Sequence, residues 1–237
     1  MSDNVKVFES ADALANEFTN EVLRLIVESS TKKERVNIML SGGNTPAIFF
    51  RKLAEMSDKN TDFDFVHFFW GDERCVPHSD SESNYGVAKL LLFDKISISE
   101  VNIHPMFVGL NIEQELLRNE NEISKIPVFD LVMLGMGDDG HTASIFPDNM
   151  KMFNEVSYCT SAFHPVTGQQ RITVTPHFLI HKTQSIVFLV TGKNKAEILG
   201  KVFSGMEESV EKLPTAKIRD KCNNIKWLLD KDAAQQL

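Results

Sequence analysis

The first apolar periodicity along the chain is helical. Leu14, Phe18, Val22 and Leu25 recur at spacings of four, four and three, which puts one apolar stripe on a helix over residues 11–29. The pattern then shortens. Residues 36–40 form an apolar run that stops at the segment SGGNTP, residues 41–46, and this predicts a buried strand ending in a tight turn. Pro46 suits the first turn of a following helix, where its missing N–H costs nothing, and Ile48, Phe49, Leu53 and Met56 supply the core-facing stripe. Strand-like runs at 65–70, 130–134 and 185–190 end in polar, glycine-containing segments, and 171–175 adds a strand with β-branched alternation.

Helical stretches at 84–96, 112–124 and 194–204 alternate with these strands. Near-continuous apolar strands separated by helices predict a Rossmann-like three-layer α/β/α fold, doubly wound around a mostly parallel sheet. Residues 212–216 read as a loop between late elements, and one domain is expected over residues 1–237. In sheets of this kind ligands bind beyond the carboxyl ends of the strands. Each polar motif considered below falls just after such an end.

Composition narrows the function. The chain has 237 residues, 42% of them hydrophobic and 24% charged, which is a globular balance. A formal net charge of −8 argues against nucleic acid or an anionic membrane as partner, so an anionic substrate must be held by a few local cations. Cys75, Cys159 and Cys222 lie far apart, with no CxxC pair and no Cys/His spacing suited to zinc. No basic region followed by an apolar core opens the sequence, and no apolar run approaches the roughly 20 residues that cross a bilayer. The expectation is a cytosolic protein.

Three segments carry candidate chemistry. At residues 41–46, Gly42 and Gly43 let the backbone approach an anion, Thr45 adds a hydroxyl, and the following helix presents unpaired N–H groups. Neither a Walker A loop nor a GxGxxG fingerprint is present. At 71–77, Asp72, Glu73 and Arg74 crowd the end of an apolar strand, where charge is costly unless paired or used. Arg74 there suits an anion or a developing oxyanion, and Asp72 a polar or proton-handling duty. At 134–147, Gly135, Gly137 and Gly140 frame Asp138, Asp139 and His141. A histidine can take a proton from water near neutral pH, and a carboxylate two residues away can fix its tautomer. No second and third metal ligand stand at a recognisable spacing. Arg171, Lys193 and Lys195 supply later cations, while His67, His78, His104, His164, His177 and His181 show no pairing pattern.

Taken together, SGGNTP, WGDERCVPHSDSESNY, LGMGDDGHTASIFP, the PxxxxxRIT-like stretch at 165–173 and TGKNKA resemble the 6-phosphogluconolactonase family from about residue 36 to 218. The resemblance implies a sheet of the type shared with glucosamine-6-phosphate deaminase and ribose-5-phosphate isomerase, with catalysis at its carboxyl edge and no cofactor. It implies a sugar-phosphate lactone as substrate and a monomer or small homo-oligomer. Position by position, it implies that Gly42, Gly43, Asn44 and Thr45 hold phosphate, that Arg74, Arg171 and Lys195 contribute positive charge, and that His141 is the base. Asp139 then orients His141, Asp72 touches the sugar or the water, and Asn84 and Tyr85 support the Asp72–Arg74 loop. Which of Asp139 and Asp72 stands nearer His141 is left open by sequence. A glucosamine-6-phosphate deaminase is the nearest alternative, but that family's glutamate five residues after the histidine is replaced here by Phe146. A non-catalytic sugar-phosphate sensor is the alternative from another class.

Overall fold

The computed structural model describes residues 4–59 and 61–237. Strand β1 (Val5–Phe8) leads into helix α1 (Ala11–Lys32), whose start is capped by the Ser10 hydroxyl accepting from the Ala13 N–H at 3.2 Å. Leu14, Phe18, Val22 and Ile26 are the buried stripe, and Leu25 is only half-buried. At 3.6 residues per turn the fourth contact falls at Ile26, one residue beyond the expected Leu25. Strand β2 (Val36–Leu40) is buried at every position. Helix α2 (Asn44–Met56) follows with Phe49, Phe50 and Leu53 inside, whereas the expected Ile48 is half-buried and Met56 is exposed.

Strand β3 (Val66–Trp70) passes through Gly71 directly into β4 (Asp72–Arg74). The short helix α3 (Asn84–Ala88) runs on into a π-turn at Lys89–Phe93, in place of one continuous helix to residue 96. Helix α4 (Ile112–Ser124), strand β5 (Leu131–Leu134), strands β6 (Cys159–Phe163) and β7 (Gln170–Val174), and helix α5 (Pro176–His181) come next. Strand β8 (Ile186–Val190), helices α6 (Ala196–Phe203), α7 (Glu207–Lys212) and α8 (Pro214–Lys221), and strand β9 (Ile225–Asp230) complete the chain. The stretch 212–216 is therefore no loop. Pro214 opens α8 one residue after Leu213 separates it from α7, a use of proline at a helix start.

The main sheet has the order β1-β9-β8-β5-β2-β3, with every neighbouring pair parallel. The chain moves outward from β2 to β3 and then returns past β2 to β5. A crevice opens at such a reversal, beyond the carboxyl ends of β2 and β5. A second sheet, β4-β7-β6, is antiparallel. Gly71 is the pivot between the two: its N–H donates to Leu40 O in the main sheet, and its carbonyl accepts from the Val174 N–H in the small one, both at 2.8 Å. The strand expected at 171–175 thus belongs to the small sheet, not the parallel one.

Aromatic rings fill the space between sheet and helices. Phe129 packs edge-on to both Phe69 and Phe178 at centroid distances of 5.0 Å, and all three are buried. Full burial of one such side chain stabilises the fold by about 1.5–3 kcal/mol.

Two of the histidines that show no pairing in sequence are joined in the fold. His67 Nδ1 lies 2.9 Å from His104 Nε2, and His104 Nδ1 lies 2.5 Å from Glu122 Oε1. The chain of contacts links β3 to α4 through the loop at residue 104. Burial, with help from Arg35 and His104, pushes His67 down to about 4. No described helix is long and apolar enough to cross a membrane.

Candidate active site

Each wall of the crevice comes from the end of a strand. Residues after β2, β5 and β8, together with β4 and β7, line one cavity of about 460 Å³ that includes Gly42, Gly43, Asn44, Thr45, Asp72, Arg74, His141, Arg171 and Lys195. Nine of the ten residues to which the sequence resemblance gives a catalytic or substrate-binding role therefore meet at one place. Asp139 stands behind His141 and reaches the cavity only through it.

The turn after β2 is built for a close approach. A Cβ on Gly42 would sit 1.8 Å from Asn84 Oδ1, so only glycine lets Asn84 come this near. Gly43 is the N-cap of α2 and has no side chain to satisfy the first N–H groups of that helix. Those donors, with the positive end of the helix dipole, face the cavity and suit an anion. The Thr45 hydroxyl lies 2.7 Å from the Thr191 hydroxyl, which ties the turn after β2 to the end of β8.

Register places the arginines. Residues two apart on a strand share a face, so Asp72 and Arg74 point one way from β4 and Glu73 points the other. The antiparallel pairing sets Arg74 directly opposite Arg171 and Asp72 opposite Thr173. Like charges directly opposite each other destabilise a sheet unless something compensates. Arg171 is only 7% exposed, and the Nε–H groups of both arginines find no acceptor among the described residues. Burial pulls the Arg171 guanidinium below its ordinary value, Asp72 holds it up, and Arg74 pulls it down again. An anion between the two guanidinium groups relieves both the repulsion and the missing acceptors.

Glu73 explains how Arg74 is held. Its buried carboxylate accepts from the backbone N–H groups of Arg74, Asn84 and Tyr85, each at 2.7 Å, and from the Ser83 hydroxyl at 3.2 Å. Burial nonetheless pushes this carboxyl above its usual range. Asn84, anchored in this way, donates to the Asp72 carbonyl at 2.8 Å. Arg74 Nη1 donates to Glu82 O at 2.6 Å.

The partner of His141 is Asp139. Its Oδ1 lies 2.6 Å from His141 Nδ1 and also accepts from the His141 backbone N–H at 3.1 Å. Burial raises the Asp139 carboxyl, but these hydrogen bonds and the ring's charge outweigh it and hold the group at about 2. An ionised carboxylate can only accept, so Nδ1 is the donor in this pair, and in the neutral ring the free lone pair is the one on Nε2. A Cβ on Gly137 would stand 2.1 Å from His141 Nδ1, so that glycine makes room for the dyad. The other face of the ring meets Phe146 at a centroid distance of 4.9 Å.

Asp72 sits elsewhere in the cavity and has other partners: its Oδ2 accepts from the Ser144 hydroxyl at 2.7 Å. Lys195 pairs with Asp138, which also accepts from Asn194 Nδ2 at 2.9 Å. Asp138 stood among the candidates of the third segment, whereas Ser144 and Asn194 were not picked out by sequence reasoning. Ser144 lay inside the LGMGDDGHTASIFP motif with no local sign of its partner. Cys75 is half-buried, and burial with the nearby carboxylates of Glu73 and Glu115 pushes it up to about 11.

An open parallel sheet with a histidine–carboxylate pair, two arginines and a helix N-terminus at its carboxyl edge suits a class of enzymes that act on anionic substrates rather than a single activity. The sequence model of the family described as glucosamine-6-phosphate isomerases/6-phosphogluconolactonase matches residues 9–227, and the chain belongs to that family. It is 40% identical over 232 residues to a 6-phosphogluconolactonase of Haemophilus influenzae, covering 96% of this chain and 95% of that one. The crystal structure of devB protein superposes with a TM-score of 0.89 at 36% identity over 99% of both chains. A monomeric glucosamine-6-phosphate deaminase shares the fold, with a TM-score of 0.85 at 19% identity, over 99% of this chain and 100% of that one.

Proposed function

We propose that this chain hydrolyses 6-phospho-D-glucono-1,5-lactone to 6-phosphogluconate, the lactone-opening step of the oxidative pentose phosphate pathway, and does so in the cytosol. The observation that carries the reading is the Asp139–His141 dyad, joined through Nδ1, at a cavity walled by Arg74 and Arg171.

His141 Nε2 takes a proton from water as the oxygen attacks the C1 carbonyl. Asp139 stabilises the imidazolium that results. The tetrahedral oxyanion is stabilised by a guanidinium or a backbone N–H of the glycine-rich loops. When the C1–ring oxygen bond breaks, the imidazolium returns its proton to the departing oxygen, and the base is restored. A lactone is already reactive, so one positioned base suffices and no nucleophilic serine is needed. Phosphate recognition falls to the turn at Gly42–Thr45 and to Arg74, Arg171 and Lys195, with Asp72 toward the sugar or the water.

The deaminase alternative needs a proton relay through the position of Phe146. That side chain is 1% exposed and apolar, and it packs on His141 instead of exchanging protons with it. The test follows loss of freshly prepared lactone at mildly acidic pH, where background hydrolysis is slow, for wild type, His141→Ala and buffer alone. Acceleration by wild type with His141→Ala near background is the expected result. Wild type at the background rate sinks the proposal, and turnover of glucosamine 6-phosphate then becomes the next assay.

A further inference from the structure

Asp72 and Arg171 face each other at the cavity wall with Oδ2 and Nη1 3.9 Å apart, too far for a hydrogen-bonded ion pair. The hydroxyl of Ser144 stands between the same two atoms. It donates to Asp72 Oδ2 at 2.7 Å and lies 3.4 Å from Arg171 Nη1, from which it accepts.

This hydroxyl is held from behind. Ser144 is wholly buried, and its backbone N–H donates to Thr173 Oγ1 at 3.1 Å. Thr173 is the residue paired with Asp72 across the small sheet. Ala143, just before it, has φ 49°, a left-handed conformation that is strained for a non-glycine residue. That strained turn swings the chain from His141, on the loop after β5, to the face of β4 and β7.

We propose that Ser144 is a positioning residue, a spacer that keeps Asp72 and Arg171 from closing into a direct salt bridge. Arg171 then keeps its guanidinium for the anionic group of the substrate, and Asp72 keeps its carboxylate for the reacting end. The proposal rests on the lactonase reading of the cavity.

The physical reason is competition for one cation. In a buried site a direct carboxylate–guanidinium pair is stronger than hydrogen bonds through a neutral hydroxyl. Arg171 Nη1 is held by Ser144 only at 3.4 Å, so a freed Asp72 carboxylate would gain by moving onto that nitrogen. The movement needed is about 1 Å, from the present 3.9 Å to the roughly 2.8 Å of a charged hydrogen bond, which a carboxylate makes by turning on its own stem. Once closed, Asp72 occupies the Arg171 donor, which then has one hydrogen bond fewer to offer an incoming phosphate.

The test is a double-mutant cycle on wild type, Ser144→Ala, Asp72→Asn and the two together. Binding of 6-phosphogluconate and of inorganic phosphate is measured by calorimetry, and KM and kcat for the lactone are measured separately. Ser144→Ala alone weakens both ligands and raises KM by about tenfold, or about 1.4 kcal/mol. In the Asp72→Asn background the same step changes binding by less than about twofold, because no carboxylate remains to capture Arg171. Ser144→Thr, which keeps the hydroxyl, recovers most of the affinity.

Equal losses in the two backgrounds, or wild-type binding by Ser144→Ala, overturn the proposal. Should Ser144→Ala fail to fold, Ser144→Cys keeps the volume and weakens the hydrogen bonds, and it enters the same cycle with the same criteria. Absence of lactone turnover by wild type, with phosphate binding still following the expected cycle, removes the lactonase reading and leaves the spacer standing.

Discussion

Replacing Asp139 by asparagine removes one charge and little else. The amide is nearly isosteric with the carboxylate, so the loop should keep its shape. Two effects follow. The first is electrostatic: against its desolvation, hydrogen bonds and the charge of His141 bring the Asp139 carboxyl from 3.8 to about 2, a net shift of about 2.5 kcal/mol at face value. The side chain is 46% exposed, so solvent screening reduces this to about 1 kcal/mol, or about a fivefold loss of imidazolium stabilisation. The second effect is tautomeric. An amide can turn its NH₂ toward His141 Nδ1, which moves the ring proton to Nε2 and removes the lone pair that takes the proton from water. In serine hydrolases the corresponding change costs about 10⁴ in kcat, and a lactone, being more reactive than an amide, should show less. The expected outcome is a fall of about 10²-fold in kcat with KM within about threefold of wild type, since Asp139 does not line the cavity. Stopped assays on fresh lactone, corrected for spontaneous opening, measure both constants. A kcat within about twofold of wild type would refute the tautomer argument, because then neither the charge nor the proton position on His141 matters.

Gly137→Ala places a methyl group 2.1 Å from His141 Nδ1 and should cost at least about 10²-fold in kcat, with thermal unfolding close to wild type; wild-type kcat would mean that the dyad tolerates displacement. Arg171→Lys keeps the charge but loses the planar fork, so KM for the lactone should rise about tenfold while kcat changes little, as steady-state kinetics will read. The third prediction concerns acid stability, through His67. Its folded value of about 4 lies below the unfolded 6.5, so the unfolded chain binds the proton more readily between those limits. Stability from this group is present above pH 6.5 and is lost as pH falls toward 4, and His67→Gln should flatten the slope of urea midpoints over that window. An unchanged slope would assign the acid sensitivity to other groups.

The elements with chemistry in them were legible in the sequence because each is local. A strand running into SGGNTP and then a helix, or into GMGDDGH, states its own geometry: glycine where backbone must approach, proline where a helix starts, a carboxylate two residues from the histidine it holds. That is why the cavity residues could be chosen by reading along the chain, and why the parallel sheet followed from apolar strands alternating with helices. The Asp139–His141 contact was the one pairing left open, since sequence proximity favoured Asp139 and only the fold put Asp72 across the cavity with Ser144. Other features depend on register and on packing between distant segments, which no local pattern records. Arg74 meets Arg171 because β4 and β7 pair in one register, and a shift by one residue would turn either side chain away. The His67–His104–Glu122 chain joins residues from a strand, a loop and a helix, so no spacing announces it. The break between α7 and α8 depends on a proline that reads equally well as a loop and as a helix start. Local backbone demands are written residue by residue, whereas the partners of buried charges are settled only when the sheets close on one another.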